Sequence, residues 1–592
     1  MKQRIFSGVS IFGITIAIFL SVAVSYEVHR FSSGIVFSSR CLTFLVFFIF
    51  LAVFSLEIWP WMGLGSDIPK NISWKRPLLI SILAVFLSLT VWMGAGTFDG
   101  DYLVHKQFSL QLLNGNSQTH FFYKNTPTYY PYLAHALLAI LTNITGLKVH
   151  YSYLFISLAL SFSIPLLTYR LAIQLGFAPN LSLFFSALIS LYGGFLKVIR
   201  RMFHLYLPAI QISMPFISRN LCFFIFILFL ILCFRLYRLK EPDWKISINI
   251  GILIGLMALS HPQGFLMSLL FLAISCLIKF KLQYFSKSIF LHFITSLFIA
   301  FVIASFYYLP VFINMLQYGG ATPVEKAKEV FPNMIWLYGP LIPLWVYGLM
   351  GRKNIKGWFW LSLLMIGTIG IVRLILDFFL SVDQWNIFRL HRFGPYLFIF
   401  LSLFATRGVE NIINSWRRIK NIGIIIMIPV VVIGHFTAYI YLSNLYRYKY
   451  KFKKVFVELK EGKMYALFPA SNIEDLRLKI DNPRISLIVP PEISLRVASE
   501  AGLHIAYIER PRIRYKDYFK KTISQEERLS KVASFYQDLQ RGILRKDILD
   551  FFNTNMFLSS HSDLTKVFPL LEKICSVQVK GGVYYLYAIN YE

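Results

Sequence analysis

The sequence predicts a polytopic α-helical membrane protein of about thirteen transmembrane helices, closed at its C-terminal end by an extracytoplasmic α/β domain. Of its 592 residues, 56% are hydrophobic and 15% charged, whereas a soluble domain is about one-quarter charged. Apolar runs of about 20 residues, each long enough to cross a hydrocarbon core roughly 30 Å thick, recur from Ile5 to Leu442. Beyond Tyr446 the apolar runs shorten and charges become frequent.

The spans fall near 5–25, 41–62, 77–95, 150–168, 180–196, 219–234, 246–260, 263–278, 289–311, 333–350, 357–378, 394–410 and 422–443. The first follows Met1-Lys-Gln-Arg4 and runs to Val24 without a clear small-residue cleavage site, so it reads as an uncleaved anchor. With the N-terminus cytoplasmic, almost every inner loop is basic. Examples are Lys70, Lys75 and Arg76, then Arg352, Lys353 and Lys356, then Arg417, Arg418 and Lys420. The positive-inside rule therefore supports a multi-pass protein of the plasma (inner) membrane. The expected organisation is an N-terminal hairpin at 1–62, a membrane core at 63–444 with a long external loop at 96–150, and an external soluble domain at 445–592.

The net charge of +30, from 59 Lys+Arg against 29 Asp+Glu, would suggest nucleic acid in a soluble protein. Here the basic residues of the membrane half lie mostly in short loops, which points to topogenic signals and anionic headgroups and to no nucleic-acid partner. Cys41, Cys222, Cys233 and Cys276 lie in or beside apolar segments and Cys575 stands alone, which builds neither a disulfide framework nor a zinc site. In the soluble part, the runs 464–468, 485–489 and 583–589 read as strands, with Gly581-Gly582 as a turn, and 524–551 reads as helical.

The loop after the third span opens Thr97-Phe-Asp-Gly-Asp-Tyr-Leu-Val-His-Lys106. Asp99 and Asp101 flank a glycine, so two carboxylates can converge on a cation or a substrate hydroxyl, with His105 on the side of Asp101 if a helix starts there. An aspartate capping that helix is the alternative. Further on, Tyr129-Tyr-Pro-Tyr-Leu-Ala-His135 opens an apolar stretch too short to span, suited to an interfacial helix.

These pieces together resemble the first external loop of the GT-C superfamily of polytopic glycosyltransferases, which use lipid-linked sugars. The resemblance lies in an acidic pair after an early span, a His four residues on, an aromatic-Pro segment and a His opening an in-plane helix. It implies that Asp99 or Asp101 is the catalytic base or helps bind a divalent metal such as Mg or Mn, with His105 and His135 near the substrate. The overall plan of many spans, long external loops and an external C-terminal domain is similar as well. In that superfamily the acidic loop usually follows the first span; here it follows the third, so residues 1–62 stand as an added hairpin.

Several basic residues fall on the same predicted face: Arg200, Arg201 and His204 in one outer segment, with Lys197 and Arg219, and Arg389, His391 and Arg392 in another. Outer arginines run against the topology bias. Their planar forks suit phosphate through paired, charge-assisted hydrogen bonds, and headgroup anchoring is the other reading. His261-Pro262 breaks the apolar stretch 246–277 into a hairpin, where His261 either touches substrate or makes a helix-terminal hydrogen bond.

The functional expectation is an inverting glycosyltransferase that takes a sugar from a polyprenyl-phosphate donor at the external face and passes it to a glycan, lipid or protein acceptor. A carrier or flippase for lipid-linked glycans and a glycan polymerase or ligase are the alternatives. No Walker loop, dinucleotide fingerprint or nucleophile elbow is present.

Overall fold

The computed structural model describes residues 75–94, 101–113, 131–145, 149–192, 208, 217–238, 244–281, 287–318, 338, 341–350, 364–365, 367–368, 390–415, 476, 480, 486–501, 503–507, 525–579 and 582–590. The predicted spans at 5–25, 41–62 and 422–443 lie outside them, as do the strand at 464–468 and nearly all of the span at 357–378.

The helical part comprises α1 (Lys75–Gly94), α2 (Asp101–Leu113), α3 (Leu133–Thr145), α4 (Val149–Gln174), α5 (Pro179–Leu191), α6 (Ile217–Arg238), α7 (Trp244–Ser260), α8 (Pro262–Lys281), α9 (Lys287–Tyr318), α10 (Leu341–Met350) and α11 (Leu390–Ser415). Among the described residues four helical stretches, Ser152–Gln174, Ile217–Leu236, Phe290–Ile313 and Phe393–Ser415, are long and apolar enough to cross a membrane. α7 and α8 coincide with the two arms of the hairpin predicted around His261, while α5, at 13 residues, is shorter than a span requires.

Two of the long helices have opposite surroundings. In α6 the most apolar window is 94% buried, whereas in α9 the corresponding window is 22% buried and the helix displays Phe290, Ile294, Phe298, Phe301 and Phe312 along its length. An apolar face of that extent would be costly in water and costs nothing against hydrocarbon. α6 is therefore the centre of the bundle and α9 a lipid-facing flank.

Close helix approaches occur at small residues, as expected where lipid gives no hydrophobic drive for association. Gly251 and Gly255, one turn apart on α7, face α9: a Cβ on Gly251 would sit 2.6 Å from the Ser296 carbonyl, and one on Gly255 would press on Ile303. Gly348 of α10 and Gly408 of α11 meet the backbone of the opposite helix in the same way, at Phe404 and Leu344. Hydroxyls join other helices, with Ser88 Oγ 2.7 Å from Ser161 Oγ between α1 and α4 and Ser247 Oγ 2.7 Å from His292 Nδ1 between α7 and α9.

The C-terminal region is a mixed sheet between two layers of helices. It runs β1 (Ser486–Leu487), α12 (Pro491–Ala501), β2 (His504–Ile505), α13 (Gln525–Gln540), α14 (Lys546–Phe551), β3 (Met556–Ser559), α15 (Leu564–Val567), β4 (Leu571–Val579) and β5 (Gly582–Ile589). β1 and β2 pair in parallel, β5 lies antiparallel between β3 and β4, and a parallel bridge from Ile488 to Phe557 joins the two groups. The expected helical stretch 524–551 is two helices, because α13 stops at Gly542. This glycine takes φ +78°, its N–H reaches the Leu539 carbonyl, and the next N–H reaches Asp538.

Side chains alternate across the sheet as a pleated strand requires. Ile488, Phe557 and Tyr587 face α13 and α14, where Val532, Phe535 and Leu549 complete one core. Leu487, Leu558 and Leu586 face the other way, toward Val497 and Ala498 of α12. The second helix on that side is α2, which contributes Val104, Phe108 and Leu112 from the loop between the early spans.

Candidate active site

α2 begins at Asp101, so the acidic stretch leads directly into a helix and Asp101 occupies its first turn, where the helix dipole favours a carboxylate. His105 follows four residues on and shares that face. Asp99 lies outside the described residues, and of Asp101 the backbone alone is described.

The helix is not a surface helix. Val104, His105, Lys106, Gln107, Phe108, Ser109, Leu110, Gln111 and Leu112 are all buried. A segment carrying two amides, a lysine and a histidine becomes buried only where its polar groups find partners. His105 Nδ1 is 2.7 Å from His135 Nε2 on α3, with the rings nearly parallel and their centroids 5.0 Å apart. Phe108 leans on the same imidazole at 4.5 Å. Ser109 Oγ donates back to the His105 carbonyl, and Gln107 Nε2 donates 2.9 Å to the Leu503 carbonyl in the C-terminal region.

His135 has no exposed surface. Burial holds its pKa well below the ordinary histidine value and the neighbouring His105 lowers it further, against a raising contribution from a hydrogen bond with the Pro131 backbone. The imidazole is therefore neutral, and one ring of the pair donates the shared proton while the other accepts it, so the tautomers of the two rings are coupled. α3 itself divides between two cores: Leu133, Ala134, Leu137 and Leu138 join the membrane helices, while Ala136 and Ala139 join α2 and the C-terminal sheet.

Of the remaining predicted site residues, His261 is described with its side chain, at one end of the bundle. Tyr153, near the start of α4, accepts a hydrogen bond from the Ile217 N–H and so satisfies one of the open donors of α6. At the α7–α8 turn, Ser260 Oγ donates to the Ser218 carbonyl at 2.9 Å. The adjacent His261 is buried: its N–H closes α7 on Met257, and its carbonyl accepts from Gly264 N–H and the Cys222 thiol. Gly264 also lies against Tyr396 of α11, one turn beyond Arg392. Arg219, in the first turn of α6, is half-buried.

The starts of α4, α6, α8 and α11 thus converge with the end of α7, and α3 packs beside them. His391 and Arg392 stand in the first turn of α11, though their side chains are not described, and Arg200, Arg201, His204 and Arg389 lie outside the described residues. Sequence reasoning passed over Gln107, whose partner is 396 positions away, and Tyr153, whose hydroxyl caps a different helix. The repeat Val104, Phe108, Leu112 is the signal that α2 needed an apolar partner.

Among the described residues no group of three or more His, Cys, Asp or Glu is placed to hold a metal ion. The hard carboxylate oxygens of Asp99 and Asp101, neither of them a described side chain, are the donor chemistry that suits Mg²⁺ or Mn²⁺.

No protein-family model matches the chain, and no curated protein matches it. Among solved structures the chain is similar to the archaeal oligosaccharyltransferase AglB from Archaeoglobus fulgidus, in complex with an inhibitory peptide and a dolichol-phosphate. The identity is 11%, the match covers 88% of this chain and 75% of that one, and the TM-score is 0.44. A likeness of that degree decides nothing about chemistry, which rests on the residues themselves.

Proposed function

We propose that the chain is a membrane glycosyltransferase of the GT-C kind that moves a sugar from a polyprenyl-phosphate donor to an acceptor hydroxyl at the external membrane face. The observation that carries the reading is the placement of Asp101 at the first residue of α2, one turn before a buried histidine pair, on a layer beside the convergent helix ends.

In the proposed reaction the carboxylate of Asp99 or Asp101 takes the proton of the acceptor hydroxyl. The acceptor oxygen bonds to the anomeric carbon as the bond from that carbon to the phosphate oxygen breaks, so the sugar inverts and polyprenyl phosphate leaves. The departing phosphate gains negative charge, and Arg200, Arg201, Arg389 and Arg392 supply paired donors to it from the outer segments, with His204, His261 and His391 around them. The loop carboxylate that does not act as base would hold a divalent cation, which would supply further charge for the leaving group. His105, its tautomer coupled to that of His135, keeps a hydrogen-bonding edge beside the base. The lipid bilayer presents the donor, and the C-terminal domain closes the external side.

The test is sugar transfer by the full chain in lipid, offered several radiolabelled polyprenyl phosphate sugars and a membrane extract as acceptor. Label entering product is the expected result. Label crossing the vesicle with no product formed would contradict the reading and favour a carrier.

A further inference from the structure

α2 is held from two sides by parts of the chain far apart in sequence. At about 100° per residue, His105 and Gln107 stand roughly 200° apart around the helix. His105 bonds to His135, on a helix packed into the membrane bundle, while Gln107 bonds to Leu503 in the C-terminal region. Between these two bonds, Val104, Phe108 and Leu112 enter the core formed with Leu487, Val497 and Leu503.

The segment that receives Gln107 is itself anchored. The Ala506 N–H donates to the Leu487 carbonyl at 2.9 Å, continuing the β1–β2 pairing, and Arg528 of α13 donates to the Ala506 carbonyl at 3.0 Å. Leu503 therefore stands immediately before a strand that its neighbours fix, and its carbonyl offers α2 an anchored partner. We propose that the C-terminal region sets the position of the acidic loop, with Gln107 as a positioning residue. Its amide on the Leu503 carbonyl fixes the rotation and height of α2, the helix that Asp101 begins.

The inference rests on the reading that the loop carboxylates perform the chemistry, and it gives the C-terminal region a part in turnover beyond covering the site. Apolar contacts alone would permit small rotations of α2, because side chains of similar size can slide over one another. A directional N–H···O bond between two buried groups does not.

The experiment compares the full-length wild-type protein with Gln107→Met, which keeps the length and helix propensity of the side chain but donates nothing, and with Gln107→Glu. Three readouts are taken in lipid: kcat and donor KM for sugar transfer, thermal unfolding, and hydrogen exchange of the amides at 101–113 against those of α6. In Gln107→Met we expect kcat to fall about tenfold, since displacements of about 1 Å cost up to about a hundredfold. Donor KM and the unfolding midpoint stay near wild type, and exchange quickens in α2 but not in α6. Gln107→Glu should regain rate relative to wild type as pH falls, because a protonated carboxyl donates to a carbonyl and an ionised one cannot.

Wild-type kcat with wild-type protection of α2 in Gln107→Met would overturn the proposal. So would a loss of rate matched wholly by loss of folded protein. Full activity of both Asp99→Asn and Asp101→Asn would overturn the underlying reading instead. The exchange of α2 would still decide whether Gln107 holds the helix.

Discussion

In the membrane bundle some hydroxyls bond within their own helix, Ser81 to the Pro77 carbonyl, Thr295 to Leu291 and Thr406 to Ser402, while others join two helices, as Ser88 does with Ser161 and Ser247 with His292. In the α2–α3 layer the imidazole and the amide bond between elements, His105 to α3 and Gln107 to Leu503 just before β2. A polar group satisfied by its own helix can be removed with little effect elsewhere, because the backbone hydrogen bonds remain. One satisfied by another element fixes how the two sit together, and its loss propagates. Inside the bundle such bonds set helix against helix, whereas those of the α2–α3 layer tie that layer to the bundle on one side and to the C-terminal region on the other.

That contrast can be sharpened by substitution. The largest effect on rate is expected from Asp99→Asn or Asp101→Asn, one of which should slow transfer by about 10²–10⁴, the range for loss of a general base. Expression and unfolding should be unchanged. The opposite pattern is expected in the bundle. Gly255→Leu forces its side chain into Ile303 of α9 and should destabilise by roughly 1–3 kcal/mol, seen as a lower unfolding midpoint with the rate per folded molecule preserved.

Next in size is the histidine pair. Above pH 6.5 the His135 ring is neutral both folded and unfolded. As pH falls below that, the unfolded chain takes up a proton that the buried ring refuses, so stability declines toward acid. His135→Gln should flatten that slope in unfolding curves recorded between pH 7 and pH 5; an unchanged slope would remove the ring from the account. The smallest effect is expected for Ser247→Ala, which removes one bond to His292 and should cost about 0.6 kcal/mol, as intramembrane hydrogen bonds do on average.

Much of the scaffold was legible in the sequence, because lipid imposes a length and an apolarity that any single segment must satisfy by itself. α6, α7, α8 and α9 fall where apolar runs place them, and the break at His261-Pro262 is a helix boundary as the proline dictates. The start of α2 was legible as one of two readings, since an aspartate just before an apolar periodic run marks a helix beginning.

What could not be read is non-local. Val104, Phe108 and Leu112 announce an apolar face without naming what covers it, and its cover lies in the C-terminal core. The meeting of His105 with His135 depends on how two short helices cross. β1 falls inside the run 485–489 and α5 on the apolar run near 180–196, whereas the two-residue strand β2 carries too little pattern of its own and exists through pairing with β1.

The most direct test of the central claim is a single-turnover measurement of sugar transfer by wild-type, Asp99→Asn and Asp101→Asn proteins in lipid, each first shown to unfold at the same temperature. The account predicts that at least one substitution abolishes the transfer step while the protein remains folded. Wild-type rates in both would show that the loop carboxylates only begin a helix, and would contradict it.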